Sequence, residues 1–355
     1  MRLKYLDWLR SEGIISGYFE FTFQSSGWRH LLAKLMIWPG IRRILMRPHS
    51  RPVVAALRDI IQRNHISYCL CSIRSWLFAV PDLCGQVRMA IDWCDSFVLF
   101  HRREWSVPAK DRLGRSRLQI LADLVRAVVT ETYYSRFALA NMVASSADKD
   151  MMDGINRHQP NFVLTNGVRL PEEAQSELPR VADRIIFTGN MNFPPNHQSA
   201  MWFIREVLPL LVKRRPAVEF VVAGANPLPE LLAHNGINVR VTGFVADISR
   251  EIAASSVYVA PMVSGGGFKN KIMEAMAVNT IVVATSMAVE FLDPETRNLL
   301  LVADTPQQMA DLILTALEQP ARFHNLSSQY SRIVRSQYSW DRRAEELMAA
   351  FAPHP

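Results

Sequence analysis

The sequence predicts an α/β protein of two Rossmann-like domains facing each other across a cleft. Two observations carry that expectation. A chain of 355 residues, 49% hydrophobic and 21% charged, outgrows a single core, which stops enlarging at roughly 250 to 300 residues. From residue 184 onward, short β-branched runs alternate with amphipathic stretches, which is how a parallel sheet covered by helices reads. The mix of apolar and charged residues throughout, with 15 Gly and 20 Pro, excludes collagen, a disordered tail protein and a coiled coil.

In chain order, the first domain is expected over 1–168. It opens in an amphipathic stretch, Leu3 to Leu9, where a Rossmann-like domain ordinarily opens with a strand and a Gly-bearing loop. The first strand is therefore expected to be missing, through a late start or an atypical domain. Strands are expected at 66–73, 87–91, 142–145 and 162–164, and helices at 52–63 and 116–140. Residues 169–183, rich in Pro, Glu and Ser, read as a linker. The second domain, 184–337, is expected to place strands at 184–188, 218–223, 239–242, 257–260, 281–284 and 299–302. Helices at 195–214, 229–235, 248–254, 269–278 and 306–319 alternate with them. In such a sheet, ligands collect at the carboxyl ends of the strands.

Charge divides unevenly. Residues 1–170 hold 24 Lys+Arg against 14 Asp+Glu, and residues 171–355 hold 16 against 19. A basic half suits nucleic acid, an anionic membrane or an anionic small molecule. Nucleic acid is not expected, because the positive charge is scattered without aromatic platforms or a recognisable module. Cys69, Cys71, Cys84 and Cys94 lack metal-ligand spacing and read as buried reduced thiols. No metal site is expected. No run approaches the roughly 20 apolar residues of a membrane span, and no signal peptide opens the chain, so a cytoplasmic location is expected.

The densest signal is 260–277, APMVSGGGFKNKIMEAMA. A buried strand runs into Gly265, Gly266 and Gly267, whose backbone can approach a ligand closely, and the following helix aims its positive end at the same place. Lys269 and Lys271 add charge there. Glu274, one turn inside, can accept hydrogen bonds from a sugar hydroxyl. The competing reading is a flexible loop before a core helix, its lysines solvated.

This stretch resembles the donor-nucleotide motif of the family 4 glycosyltransferases, which have the GT-B fold, and within them the sugar transferases of bacterial exopolysaccharide clusters. The resemblance runs from about Ile91 and is strongest from Ile185 to Trp340. It includes FTGNMNFPPN at 187–196, TGFVAD at 242–247, the hinge-like TNGV at 165–168, and YSW at 338–340. It implies that Gly189, Asn190, Asn196, Phe244 and Val245 join the glycine loop in holding a nucleotide-sugar, and that 338–355 is a helix crossing back to the first domain. Three departures stand out. The first of the family's two glutamates falls on Gly266, the usual Arg and Lys after the first donor-domain strand are replaced by Asn190, Asn192 and Asn196, and the acceptor-domain His is replaced within RMAIDWCDS (88–96) by Asp92 and Asp95.

The expected activity is transfer of a hexosyl unit from a nucleotide-diphosphate donor to a glycan or lipid-linked acceptor, without cofactor or metal. A helix N-terminus and lysines would stabilise the leaving diphosphate. Asp92 and Asp95 are the candidate catalytic carboxylates. Asp92 reads equally as a cap of the next helix. Residues 29–47 interleave Leu, Met, Ile and Trp with Arg and Lys, which fits peripheral contact with the anionic inner face of the cytoplasmic membrane or an ordinary packed helix pair. Two rival functions remain open: a GT-B nucleotide-sugar 2-epimerase and a non-catalytic nucleotide-sugar-binding protein.

Overall fold

The computed structural model describes residues 39–351, apart from 73, 110, 111, 113, 157, 158, 169 and 171–177. The opening stretch, on which the missing first strand was inferred, and residues 29–38 of the basic segment lie outside the described residues.

The first half forms a parallel sheet of β1 (Tyr68–Cys71), β2 (Arg88–Asp92), β3 (Ala140–Val143) and β4 (Asn161–Val163), in the order β1-β2-β3-β4. Each strand lies within two residues of its expected place. Strand β3 ends before Ser145 because that side chain accepts the amide of Asp148 and starts the helix Ser146–Ile155, as a Ser N-cap does. That helix and Phe97–Ser106, capped by Ser96, were not expected from the sequence. The helix over Arg117–Ser135 opens with a reciprocal capping box between Ser116 and Gln119 and ends five residues earlier than the expected 140. The first described helix, Pro39–Arg63, starts well before the expected residue 52 and runs through Pro48 and Pro52. The core centres on fully buried Trp93, whose indole Nε1 donates to Asn141 Oδ1 at 3.0 Å.

The second half forms a six-stranded parallel sheet: β5 (Val181–Thr188), β6 (Glu219–Ala223), β7 (Val239–Gly243), β8 (Ser255–Ala260), β9 (Ile281–Ala284) and β10 (Leu301–Val302). Their order is β10-β9-β8-β5-β6-β7, so the sheet winds outward in both directions from β5 and β8. Continuous apolar runs such as Ile185–Phe187 and Val257–Ala260 are fully buried because helices cover both faces. The expected helix 195–214 is one continuous rod containing a single wide turn, Phe203–Val207, where Leu208 N–H reaches Phe203 O. Pro209 has no N–H for the ordinary ladder, and the wide turn relieves the clash of its ring with the preceding turn.

The two sheets are tied behind the cleft. Val168 N–H donates to Tyr338 O at 2.7 Å, and Gly167 lies so close under Trp340 that a Cβ would meet its ring at 2.5 Å. The last helix, Trp340–Phe351, brings Leu347 against Ala90, Ala140 and Met142 of the first sheet, while Arg343 Nη1 donates to Thr165 Oγ1 at 2.7 Å. None of the four cysteines is in a disulfide, but of the four expected to be buried, Cys71 is buried, Cys69 and Cys84 are half-buried and Cys94 is exposed. Cys94 is exposed because it sits at the apex of the turn after β2, with φ of 58°.

Candidate functional site

Reversal of strand order between β5 and β8 forces the connections from these neighbours to opposite sides of the sheet, opening a crevice at their carboxyl ends. A cleft of about 530 Å³ lies there, walled by the turns after β5, β6, β7 and β8 and by Asp95 and Phe100 of the first half. The turns after β5 and β6 nest tightly. Gly189 N–H donates to Ala223 O at 3.1 Å, Met191 N–H to Ala225 O at 2.8 Å, and Gly224 N–H to Gly243 O at 2.9 Å. Gly224, at φ 146°, must be glycine, since a Cβ would strike the Gly189 carbonyl oxygen. Asn190 and Asn196 stand together here: Asn196 Nδ2 donates to Asn190 O at 3.0 Å, and its Oδ1 accepts from Lys271 Nζ.

The glycine loop enters the cleft from β8. Gly265 (φ 100°) and Gly267 (φ 73°) occupy the left-handed region that glycine adopts without strain. The helix Asn270–Ala277 follows, and no side chain caps its start, so its first amides and the positive end of its dipole are presented at the cleft. The two lysines differ. Lys269 is buried and donates to Gly266 O at 2.5 Å and Gly267 O at 2.8 Å, so it stiffens the loop. Lys271 reaches past the Phe187 ring, 4.7 Å from its centroid, to Asn196. Burial lowers the Lys269 ammonium to about 8 and that of Lys271 to about 7, with Lys269 adding to the depression of Lys271. Burial also raises Glu274, against the pull of Lys271.

At the other end of the cleft, Gly243 (φ 68°) turns the chain after β7 and leaves Phe244 80% exposed beside Val245 and Ile248. An exposed aromatic at a cleft mouth can stack on a flat ring. Gly189, Asn190, Asn196, Phe244, Val245, Gly265, Gly266, Lys269, Lys271 and Glu274 all line the one cleft, and Gly267 lies in its loop.

The two candidate carboxylates separate. Asp95 lines the cleft and lies so close to Gly267 that any Cβ there would run into its carboxylate. Asp92 is not among the lining residues. Its Oδ1 accepts Cys94 N–H at 2.9 Å and its Oδ2 faces Cys94 Sγ at 3.6 Å, so its carboxylate is committed to the turn it ends. Sequence reasoning did not single out the groups holding this turn. Buried Glu131 accepts from Ser96 Oγ at 2.9 Å and Phe97 N–H at 2.6 Å, and buried Asp148 accepts Ser96 N–H at 2.9 Å. Burial raises Asp148, although Ser145, Ser96, Lys269 and Arg103 all favour its ionised form. Serines at 96 and 145 were the local signal available, as N-caps.

Residues 182–319 match the model of the family described as Glycosyl transferases group 1. The chain is 28% identical over 115 residues to an uncharacterized 44.6 kDa protein in the cps region of Klebsiella pneumoniae, covering 30% of each. It is 28% identical over 200 residues to a phosphatidyl-myo-inositol mannosyltransferase of Mycolicibacterium smegmatis, covering 53% of this chain and 50% of that one. The chain thus spans half or less of the length of these curated relatives. Among solved structures, Anabaena Alr3699/HepE in complex with UDP and glucose superposes with a TM-score of 0.59 at 16% identity, covering 87% of this chain and 83% of that one. At that identity the likeness is one of fold, the GT-B arrangement of two parallel sheets.

Proposed function

We propose that this chain, a group 1 glycosyltransferase over residues 182–319, moves a hexosyl unit from a nucleoside-diphosphate donor to a glycan or lipid-linked acceptor in the building of cell-surface polysaccharide. The observation that carries the reading is the convergence of four features at the β5/β8 crevice: the glycine loop, the uncapped helix start, Lys271 with Glu274, and exposed Phe244. Phe244 and Val245 take the base, Glu274 the ribose hydroxyls, and the helix start with Lys271 the diphosphate. As the bond between the anomeric carbon and the phosphate oxygen breaks, the electron pair stays on the diphosphate, and Lys271 and the helix amides stabilise it. Asp95, which lines the cleft from the opposite half, takes the proton of the acceptor hydroxyl in this scheme. The cps-region relative and the lipid-directed name of the mycobacterial one support the acceptor class.

No cofactor or metal enters this scheme, so turnover is expected to persist in EDTA. Loss on chelation, with rescue by manganese, overturns that part. A thermal-shift screen against UDP-, GDP-, ADP- and CMP-sugars finds the donor, because binding stabilises the native state by RT ln(1 + [L]/Kd). Radiolabelled transfer from that donor then tests the activity. Binding with neither transfer nor hydrolysis identifies a non-catalytic binder, which Gly266 at the position of the family's first glutamate makes a specific alternative. No helix among the described residues is long and apolar enough to cross a membrane. We place the enzyme in the cytoplasm, with residues 29–47 touching the anionic inner leaflet, and salt-sensitive sedimentation with anionic liposomes tests that placement.

A further inference from the structure

Every carbonyl of the glycine triplet is held by a cation, and one of those cations comes from the opposite half of the molecule. Lys269 takes the carbonyls of Gly266 and Gly267. Arg103, on the helix Phe97–Ser106 of the first half, donates from Nη1 to Gly265 O at 2.9 Å. The same guanidinium forms a two-pronged pair with Glu290 of the second half, at 2.5 and 2.7 Å. A bidentate pair fixes the guanidinium in direction as well as place. In a planar trans peptide the C=O of one residue and the N–H of the next point in opposite directions. Cations on the carbonyls of Gly265, Gly266 and Gly267 therefore turn the amides of Gly266, Gly267 and Phe268 the other way.

Gly267 is needed for the same approach of the two halves, since a Cβ there would run into Asp95, which comes from the same half as Arg103, whereas one on Gly266 would sit in ordinary van der Waals contact 3.7 Å from Arg103 Nη1. Gly265 is hemmed from the other side, where a Cβ would meet Pro195 at 3.2 Å. One of the three glycines, Gly267, thus lets the first half of the molecule seat against the loop.

We propose that Arg103 is a positioning residue which, pinned by Glu290, shapes the donor loop from across the cleft so that its amides face the sugar and leaving phosphate when the two halves are closed. This rests on the glycosyl-transfer reading of the same cleft. It differs in assigning control of the loop to the half that does not hold the nucleotide.

The test compares Arg103→Ala, Arg103→Lys and Glu290→Gln with the parent in three measurements. Nucleoside-diphosphate affinity by calorimetry is expected to stay within about twofold, because the base, ribose and Lys271 contacts remain. Misplacing reacting groups by about an ångström can cost on the order of a hundredfold, so kcat is expected to fall about ten- to a hundredfold in Arg103→Ala, and less in the other two. Hydrogen exchange of the amides of Gly265 to Phe268 in the ligand-free protein is expected to quicken in the same order. That measurement needs no substrate, so the proposal stands or falls there even if glycosyl transfer is the wrong reaction. Unchanged exchange across the loop in Arg103→Ala overturns it. So does a kcat within twofold of the parent, or a loss of kcat matched by an equal loss of nucleotide affinity.

Discussion

The two sheets share parallel strands and covering helices but differ in winding. The second reverses strand order between β5 and β8, whereas the first, among the described residues, runs β1-β2-β3-β4 without reversal. A reversal opens a crevice at the strand ends, and a sheet wound in one direction does not. The glycine loop, the uncapped helix and Lys271 therefore stand on the second sheet, while the first half contributes Asp95 and Phe100 to the far wall and sends Arg103 to the Gly265 carbonyl. The cores differ in the same sense. Strands β5, β6 and β8 carry long runs of fully buried residues, whereas β4 leaves Phe162 44% exposed.

That difference should appear first in stability. Phe220, fully buried and packed against the tilted ring of Phe203 with ring centroids 4.2 Å apart, should cost about 3 to 5 kcal/mol when truncated to Ala. Phe162→Ala should stay within about 0.5 kcal/mol. Denaturant titrations of the two variants check this, and comparable losses would erase the distinction between the cores.

Ligand binding should divide the halves next. Glu274→Ala removes a carboxylate from the cleft and should weaken nucleotide binding by about 1.5 to 3 kcal/mol, the range for a charge-assisted hydrogen bond. Asp92→Ala removes one bound to its own turn and should leave the nucleotide dissociation constant unchanged in calorimetry. Equal effects from the two would put Asp92 back at the ligand.

The smallest effect is protonic. Lys271 titrates at about 7 in the free protein because of burial and neighbouring Lys269. A bound diphosphate favours the charged ammonium and raises that value. Binding is then independent of this group below pH 7, takes up a proton above it, and weakens by at most about tenfold per pH unit until the raised value is passed. Calorimetry at pH 8 in buffers of different ionisation enthalpy should show uptake that disappears in Lys271→Gln. Uptake preserved in the variant would assign the proton to another group.

Much of the second sheet was legible because buried parallel strands read as unbroken apolar runs, as Ile185–Phe187 and Ile281–Ala284 do. The strands of the first sheet are three to five residues long and shift by a residue or two because caps such as Ser145 set their ends. The glycine loop and the helix after it were legible as one local motif, since a strand, a loop and a helix start are contiguous in sequence. Arg103 and Glu290 were not, because they are separated by 187 positions and each alone reads as a solvated surface charge. Asp92 and Asp95 look alike in sequence. The turn that carries both, held just past Asp95 where Asp148 accepts from Ser96 and Glu131 from Ser96 and Phe97, decides which one reaches the cleft.

A nucleoside diphosphate is expected to bind at the crevice of the second sheet. Hydrogen exchange with and without saturating UDP tests it most directly, because it reports location as well as binding. Exchange is expected to slow in the turns after β5 and β7 and from Gly265 through Glu274, with β1 to β4 unchanged. Protection centred on the strand ends of the first sheet, or none in the 265–274 stretch with UDP bound, would contradict it.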